Sequence, residues 1–255
     1  MLDTSNHWTI EIRPGVVFPD WYVIGSTQAR DALVAILAAF RADACWRDYS
    51  ADEDKVRSII IRQYPRTGHS PSLSELKSAT GMADDALKSV LLRLRQRDLV
   101  VMDDERIVGA YPLTDRITDH EVRIAGKTVH AMCAVDALGI GDMFGEDIEI
   151  SSSCRHCRAP ITVTTRGAGT ALETFAPPGT IVWSGIRNSD GCAADTLCTI
   201  IAFFCSDEHL DAWRRANYPH IEGYRLSLDE ALQVGRAIFA PSLAGIGTGP
   251  RDDRR

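Results

Sequence analysis

A chain of 255 residues is long enough to bury a substantial core, as one large domain or two smaller ones, and two units is the expectation. With 45% hydrophobic and 25% charged residues it has the make-up of an ordinary folded protein, which excludes disordered, fibrous and membrane-spanning classes. The formal net charge of −7 offers no overall attraction to a phosphate backbone, so nucleic acid is not an expected partner.

No apolar run approaches the roughly 18 residues of a transmembrane helix, and MLDTSNHWTIEIRPG lacks the charged and apolar regions of an export signal. A cytoplasmic protein with no membrane partner is expected. Its seven cysteines, an odd number, then read as free thiols in a reducing compartment rather than as a disulfide framework.

Residues 1–66 read as an N-terminal helical extension. An aromatic pair, Trp21 and Tyr22, precedes ARDALVAILAAFRA, which puts Leu33, Ile36, Leu37 and Phe40 on one helical face; DKVRSIIIRQY is a second helix and PRTGHSP a turn or linker. Residues 67–114 read as a winged-helix-like domain. Ser72 and Glu75 form a capping box, Gly81 marks the end of that helix, and DDALKSVLLRLRQRD places Leu87, Val90, Leu91 and Leu94 at helical spacing. LVVMDDERIVGAY then gives two short strands around an Asp-Asp-Glu turn. Lys88, Arg93, Arg95 and Arg97 on the second helix are residue types that contact phosphate in DNA-binding winged helices, but on an acidic chain an ordinary solvated face is the stronger reading.

Residues 115–245 have the texture of a β-rich core. HEVRI and TVHAM flank Ala125-Gly126-Lys127, EDIEISSS and PITVTT pair around a CRHC turn, and TIVWSGI and LCTIIAFF are further strand-like runs. SDEHLDAWRRA, capped by Ser206, and SLDEALQVGRAI, with Ser227 and Glu230 as a capping box, are the closing helices. Residues 246–255 read as a disordered tail. The expected fold class is α+β: an N-terminal helical and winged-helix-like unit, then mixed antiparallel strands flanked by helices.

Chemistry concentrates on cysteine. In AMCAVDAL, Cys133 and Asp136 share one face at the start of a helix that follows a strand. There the helix dipole favours a thiolate and partial burial favours a protonated carboxyl, although a buried thiol and a capping carboxylate explain the pair equally simply. Cys198 enters an apolar run, the usual context of an inert core cysteine. It becomes a soft-metal ligand only where the fold brings it to Cys133. Cys154 and Cys157 in SCRHCRAP have the C-x₂-C spacing of a zinc knuckle or redox pair, a possible second metal site. Zinc would need two more ligands, for which His156, His120 and Cys192 are the candidates; a tight turn with one buried and one exposed thiol is the favoured alternative. Cys192 and Cys205 read as structural or incidental, the seven histidines as solvated or core residues, and Trp183 and Trp213 as core.

These features resemble the organomercurial (alkylmercury) lyase family. The resemblance is carried by Cys133-Ala134-Val135-Asp136 after a β-hairpin, then Cys154, then Cys198 ahead of Phe203-Phe204, and it spans about residues 72–240. It implies a MerB-like core in which Cys133 and Cys198 bind R–Hg⁺ as thiolates and Asp136 delivers the proton to the leaving carbon. It further implies no organic cofactor and mercury as substrate and product. The implied partners are a small organomercurial, cytosolic thiols and a mercuric reductase that takes the Hg(II). Met132 stands where tryptophan is common in the family, and Thr199, Ile200, Ile201 and Ala202 where histidines and a cysteine are expected, which implies a more apolar pocket. A lyase-fold enzyme with another thiol- or metal-dependent substrate, and a metal-sensing winged-helix regulator, are the alternatives.

Overall fold

A computed structural model describes residues 8–187 and 191–245. In chain order it contains β1 (Ile10–Arg13), β2 (Val16–Phe18), α1 (Thr27–Ala39), α2 (Ala42–Trp46), α3 (Ala51–Thr67), α4 (Leu73–Thr80) and α5 (Asp84–Gln96). β3 (Val101–Asp103), β4 (Arg106–Ala110), β5 (Leu113–Thr114), β6 (Glu121–Ile124), β7 (Lys127–Ala131) and α6 (Ala134–Phe144) follow. The chain continues through β8 (Glu149–Ser153), β9 (Pro160–Arg166), β10 (Ala171–Ala176), β11 (Ile181–Gly185) and β12 (Ile201–Phe204) to α7 (Asp207–Asn217), β13 (Gly223–Ser227) and α8 (Leu228–Phe239). The expected tail, 246–255, lies outside the described residues. No helix of the described residues is long and apolar enough to cross a membrane.

Local rules account for most of these boundaries. Ser72 and Ser227 each accept a backbone N–H three residues on while Glu75 and Glu230 reach back to them, so both capping boxes form. Gly81 ends α4 at φ 71°, where a β-carbon would be strained. Ala125 and Gly126, both at positive φ, make the two-residue turn between β6 and β7. Where PRTGHSP suggested a linker, α3 instead runs through Pro65 to Thr67 and stops at Gly68. The chain before α1 opens with the β1–β2 hairpin and has only a 3₁₀ turn at Trp21–Val23, and neither α2 nor the edge strands β10 and β13 carry a clear periodic signal in sequence.

One antiparallel sheet of eight strands runs in the order β10-β9-β8-β6-β7-β5-β4-β3. It crosses residue 114 without interruption, because β5 pairs with β4 on one side and β7 on the other. The helix, turn, helix, hairpin order of α4, α5, β3 and β4 is thereby joined to the core strands. A second sheet, β12-β11-β13, has β11 in its centre and every residue of β11 and β12 buried. A strand apolar along its whole length is covered on both faces.

Helix α6 is the hub. Nine of its residues are buried, as expected of a helix apolar around most of its circumference, and it lies against α8. The crossing is tight because two glycines meet there: a β-carbon on Gly139 would stand 2.6 Å from the Gly235 carbonyl oxygen, and one on Gly235 would stand 2.7 Å from that of Val135. The N-terminal segment is bound into the same core. Arg13 of β1 pairs with Asp54 of α3 at 2.8 Å and donates to the Pro241 carbonyl at 3.0 Å.

Alanine in place of glycine normally helps a helix by about 0.5–1 kcal/mol. At Gly139 the added methyl meets backbone, so Gly139→Ala is expected to lower unfolding free energy by about 1–3 kcal/mol instead. Urea titration of the two proteins reads the sign directly.

Candidate functional site

The start of α6 sets the geometry. Strand β7 ends at Ala131, and two residues later Cys133 is the N-cap, its sulfur accepting the Asp136 backbone N–H at 3.4 Å. Sulfur is a weak acceptor, and Ser or Asp would cap better, so capping alone gives poor reason for a thiol at this position. The helical rise then carries the Asp136 side chain inward beside it. Cys198 arrives from a separate element. It lies in a 3₁₀ turn, Cys198–Ile200, that leads into β12, rather than within the strand as its sequence suggests. Its thiol donates to Asp136 Oδ2 at 3.7 Å. The ligating atoms of Cys133, Asp136 and Cys198 all lie within 4.8 Å of one another, and the three residues are only 1%, 4% and 6% exposed.

Burial governs the proton states. It pushes the Asp136 carboxyl up to about 7, with hydrogen bonds from Cys133 and Cys198 opposing. Burial likewise pushes the Cys133 thiol up, although hydrogen bonds from Cys198 and from the Asp136 backbone work the other way. The thiolate expected from the helix N-terminus is therefore not the resting state, because desolvation on all sides outweighs the dipole. Cys198 is held well above the usual thiol range by its hydrogen bond with Cys133, by burial and by the Asp136 charge. Below about pH 7 the site is therefore a neutral acid beside two protonated thiols.

A cavity of about 60 Å³ opens onto them, against the roughly 10–15 Å³ that one water needs. Part of its wall comes from the N-terminal segment: Leu37 and Phe40 of the apolar helical face, with Phe18 and Trp46, which sequence reasoning left without a role. Arg57 also lines it. Its guanidinium is buried, stacks 5.2 Å from the Trp46 ring, and donates to the Tyr111 carbonyl at 3.2 Å and Ser242 Oγ at 3.4 Å. Of the five positions at which the sequence departs from the family, only Ile201 lines the cavity, so the other four do not make it more apolar.

A polar network that reaches the cavity wall at Tyr111 and Ala193 fixes the approach to Cys198. Asp98 accepts the Tyr111 hydroxyl at 3.0 Å and the Ala193 N–H at 2.7 Å, and the same hydroxyl accepts the Ala194 N–H at 2.8 Å. Cys192 meets that hydroxyl at 3.3 Å, and burial pushes its thiol up to about 11. Neither Asp98 nor Tyr111 was legible as a site residue, since each is the only member of the network in its stretch of sequence.

Cys154 and Cys157 are also brought into a cluster, but not with the expected partners. His120 pairs with Ser152 Oγ at 3.0 Å, Cys192 stays with Tyr111, and His156 stacks 5.0 Å from the His209 ring. Cys205 and His209 take those places, with all four ligating atoms within 4.8 Å. Their spacing, Cys-x₃-His across the first turn of α7, was the overlooked signal.

The sequence matches the family described as alkylmercury lyase over residues 113–240, a span containing both clusters. It is 27% identical to the alkylmercury lyase of Bacillus cereus over 172 residues, which are 67% of this chain and 75% of the relative. It is 23% identical to that of Streptomyces lividans over 179 residues, 70% and 79% of the two chains. A solved structure described as the mercury-bound form of MerB2 superposes with a TM-score of 0.67 at 26% identity, covering 85% of this chain and all of the other.

The Asp136 carboxyl keeps its proton to about pH 7 when folded, whereas an unfolded aspartate releases it near pH 4. Its contribution to stability is thus complete below pH 4 and is lost as pH rises through 7. Asp136→Asn removes that loss. From pH 4 to pH 8 the variant is expected to gain on the native protein by up to about 4 kcal/mol of unfolding free energy, measured by denaturant titration at each pH.

Proposed function

The chain belongs to the alkylmercury lyase family, and from that we propose that it cleaves the carbon–mercury bond of small organomercurials by protonolysis, with Cys133 and Cys198 as mercury ligands and Asp136 as proton donor. The observation that carries this reading is the convergence of two thiols and one protonated carboxyl at one cavity, with Cys198 brought in from 62 residues beyond Asp136.

The arrangement lends itself to an ordered exchange. An organomercurial cation, delivered as a thiol adduct, is taken by one cysteine, whose proton leaves with the displaced thiol. The second cysteine binds mercury as a thiolate while its proton moves to Asp136 Oδ2, replacing the proton that the carboxyl gives to the bonded carbon. Two thiolates on mercury raise electron density at the bonded carbon, and the protonated Asp136 delivers its proton there as the bond breaks. The balance is R–Hg⁺ plus two thiols giving R–H, a mercury dithiolate and one proton. The hydrogen bond from the Cys198 thiol to Asp136 Oδ2 lies along this route. The aliphatic and aromatic wall excludes water, which strengthens interactions of developing charge. Cytosolic thiols or a mercuric reductase then remove Hg(II), and the reaction is placed in the cytoplasm.

The winged-helix regulator is the weaker alternative, because two of the four basic residues on the helix that would face DNA are drawn to a buried acid. Arg97 pairs with the buried Glu53 at 2.7 Å and donates to the Cys45 and Asp48 carbonyls, and Arg93 lies 3.8 Å from the same Glu53.

Incubation of the reduced protein with phenylmercury acetate and excess thiol is expected to release benzene. Cys133→Ala should release none above background, and Asp136→Asn should still bind mercury while turning over roughly 10²–10⁴-fold more slowly. Native protein that makes no more benzene than Cys133→Ala overturns the reading.

A further inference from the structure

We propose that Cys154, Cys157, Cys205 and His209 form a four-ligand structural zinc site that clamps the β8–β9 turn to the junction of β12 and α7. The site is separate from Cys133 and Cys198 and does not depend on the lyase reading.

Three features build it. The first is ligand geometry. Cys157 Sγ and Cys205 Sγ are 3.8 Å apart and Cys154 Sγ is 3.7 Å from His209 Nδ1. A tetrahedral zinc with bonds of about 2.3 Å to sulfur and 2.0–2.1 Å to nitrogen requires separations of about 3.8 and 3.5 Å. Cys205 Sγ and His209 Nδ1 stand closer, at 2.9 Å. A disulfide between Cys157 and Cys205 would need its sulfurs at about 2.05 Å, so the spacing suits a shared ion and not a bond.

The second is the turn that holds the first two ligands. Cys154 N–H donates to the Ala159 carbonyl at 2.8 Å, Arg158 N–H donates to the Cys154 carbonyl at 2.9 Å, and Arg158 takes a φ of 64° to close the loop. That turn sets Cys154 and Cys157 beside Cys205 and His209, with all four donor atoms within 4.8 Å of one another.

The third is crowding. The donor atoms of Cys154, Cys157, Cys205 and His209 all lie within 4.8 Å of one another, and three thiolates so close would repel. A divalent cation at their centre removes that repulsion and lets all three ionise. Four donors fill the tetrahedral shell and leave no open position, which is the pattern of a structural ion rather than a catalytic one. Cys157 is exposed and Cys205 and His209 are half-buried, so the ion has a path in. Cys205 directly follows β12, the strand whose other end joins the Cys198 turn, so the clamp fixes the far end of that strand.

The full-length protein, supplied with Zn(II) and dialysed, is expected to retain one zinc per chain by elemental analysis. Co(II) in its place should show tetrahedral visible bands and thiolate charge transfer. Cys157→Ser, at an exposed position, should keep the native circular dichroism while binding zinc roughly two orders of magnitude more weakly. Cys133→Ala should retain the full equivalent. A chelator should lower the Tm of the native protein but not that of Cys157→Ser. Substoichiometric zinc in the native protein, an octahedral cobalt spectrum, uptake of Hg(II) but not Zn(II), or zinc lost with Cys133→Ala and kept by Cys157→Ser would each overturn the proposal. A failed phenylmercury assay leaves it standing.

Discussion

A carboxylic acid enclosed by the core, with two thiols for partners, is the constraint around which this molecule is arranged. Left ionised in such a place, Asp136 would cost several kcal/mol, so it stays protonated to about pH 7. That state needs water kept out and the backbone held still. The Gly139–Gly235 contact holds α6 against α8, fixing the helix whose first turn carries the acid. The Asp98–Tyr111 network holds the segment from Ala193 and Ala194 that brings in Cys198. Loosening either admits solvent, lowers the acid's pKa and removes the proton that the proposed reaction spends.

The N-terminal segment belongs to this argument. It has no part in the matched span, yet it supplies the aromatic and aliphatic wall that dries the cavity. Its attachment is polar: Arg13 binds Asp54 and the chain near Pro241, and Arg57 binds Tyr111 and Ser242. Both arginines therefore join the first sixty residues to the chain around α8 that buttresses α6. A wall fastened by a few charge-assisted hydrogen bonds is easier to move than a packed core.

Legibility in the sequence follows the range of the interaction. Signals confined to four residues were readable: the Ser72–Glu75 and Ser227–Glu230 boxes, the Ser206 cap, Gly81, the turn at Ala125-Gly126, and the pairing of Cys133 with Asp136. The Ser50–Glu53 box was equally local and was passed over, which displaced the start of α3. Convergence of Cys198 with Cys133, or of Cys205 and His209 with Cys154, depends on which strand lies beside which. For Cys198 the likeness to a known family supplied what spacing does not. For His209 nothing did, because its partner Cys205 read as structural or incidental and the histidines as solvated or core residues. The resting thiol state of Cys133 was misread for a different reason: a dipole worth about 0.3–1 kcal/mol was set against a desolvation penalty of several.

Two groups of cysteines thus sit at opposite ends of one short strand, in environments that lead to opposite chemistry. Near Cys198 there is an acid and an apolar wall, and in the proposed reaction two sulfurs leave the mercury atom a position to keep its carbon until the proton arrives. Near Cys205 there is a histidine and solvent access, and with the four donors of the proposed zinc site an ion bound there has no open position. Thiols are common to both. What separates a site suited to breaking a bond from one suited to holding a fold is whether the fourth partner is a proton donor or another ligand, and in this chain that is decided by whether the strand end meets the first turn of α6 or the first turn of α7.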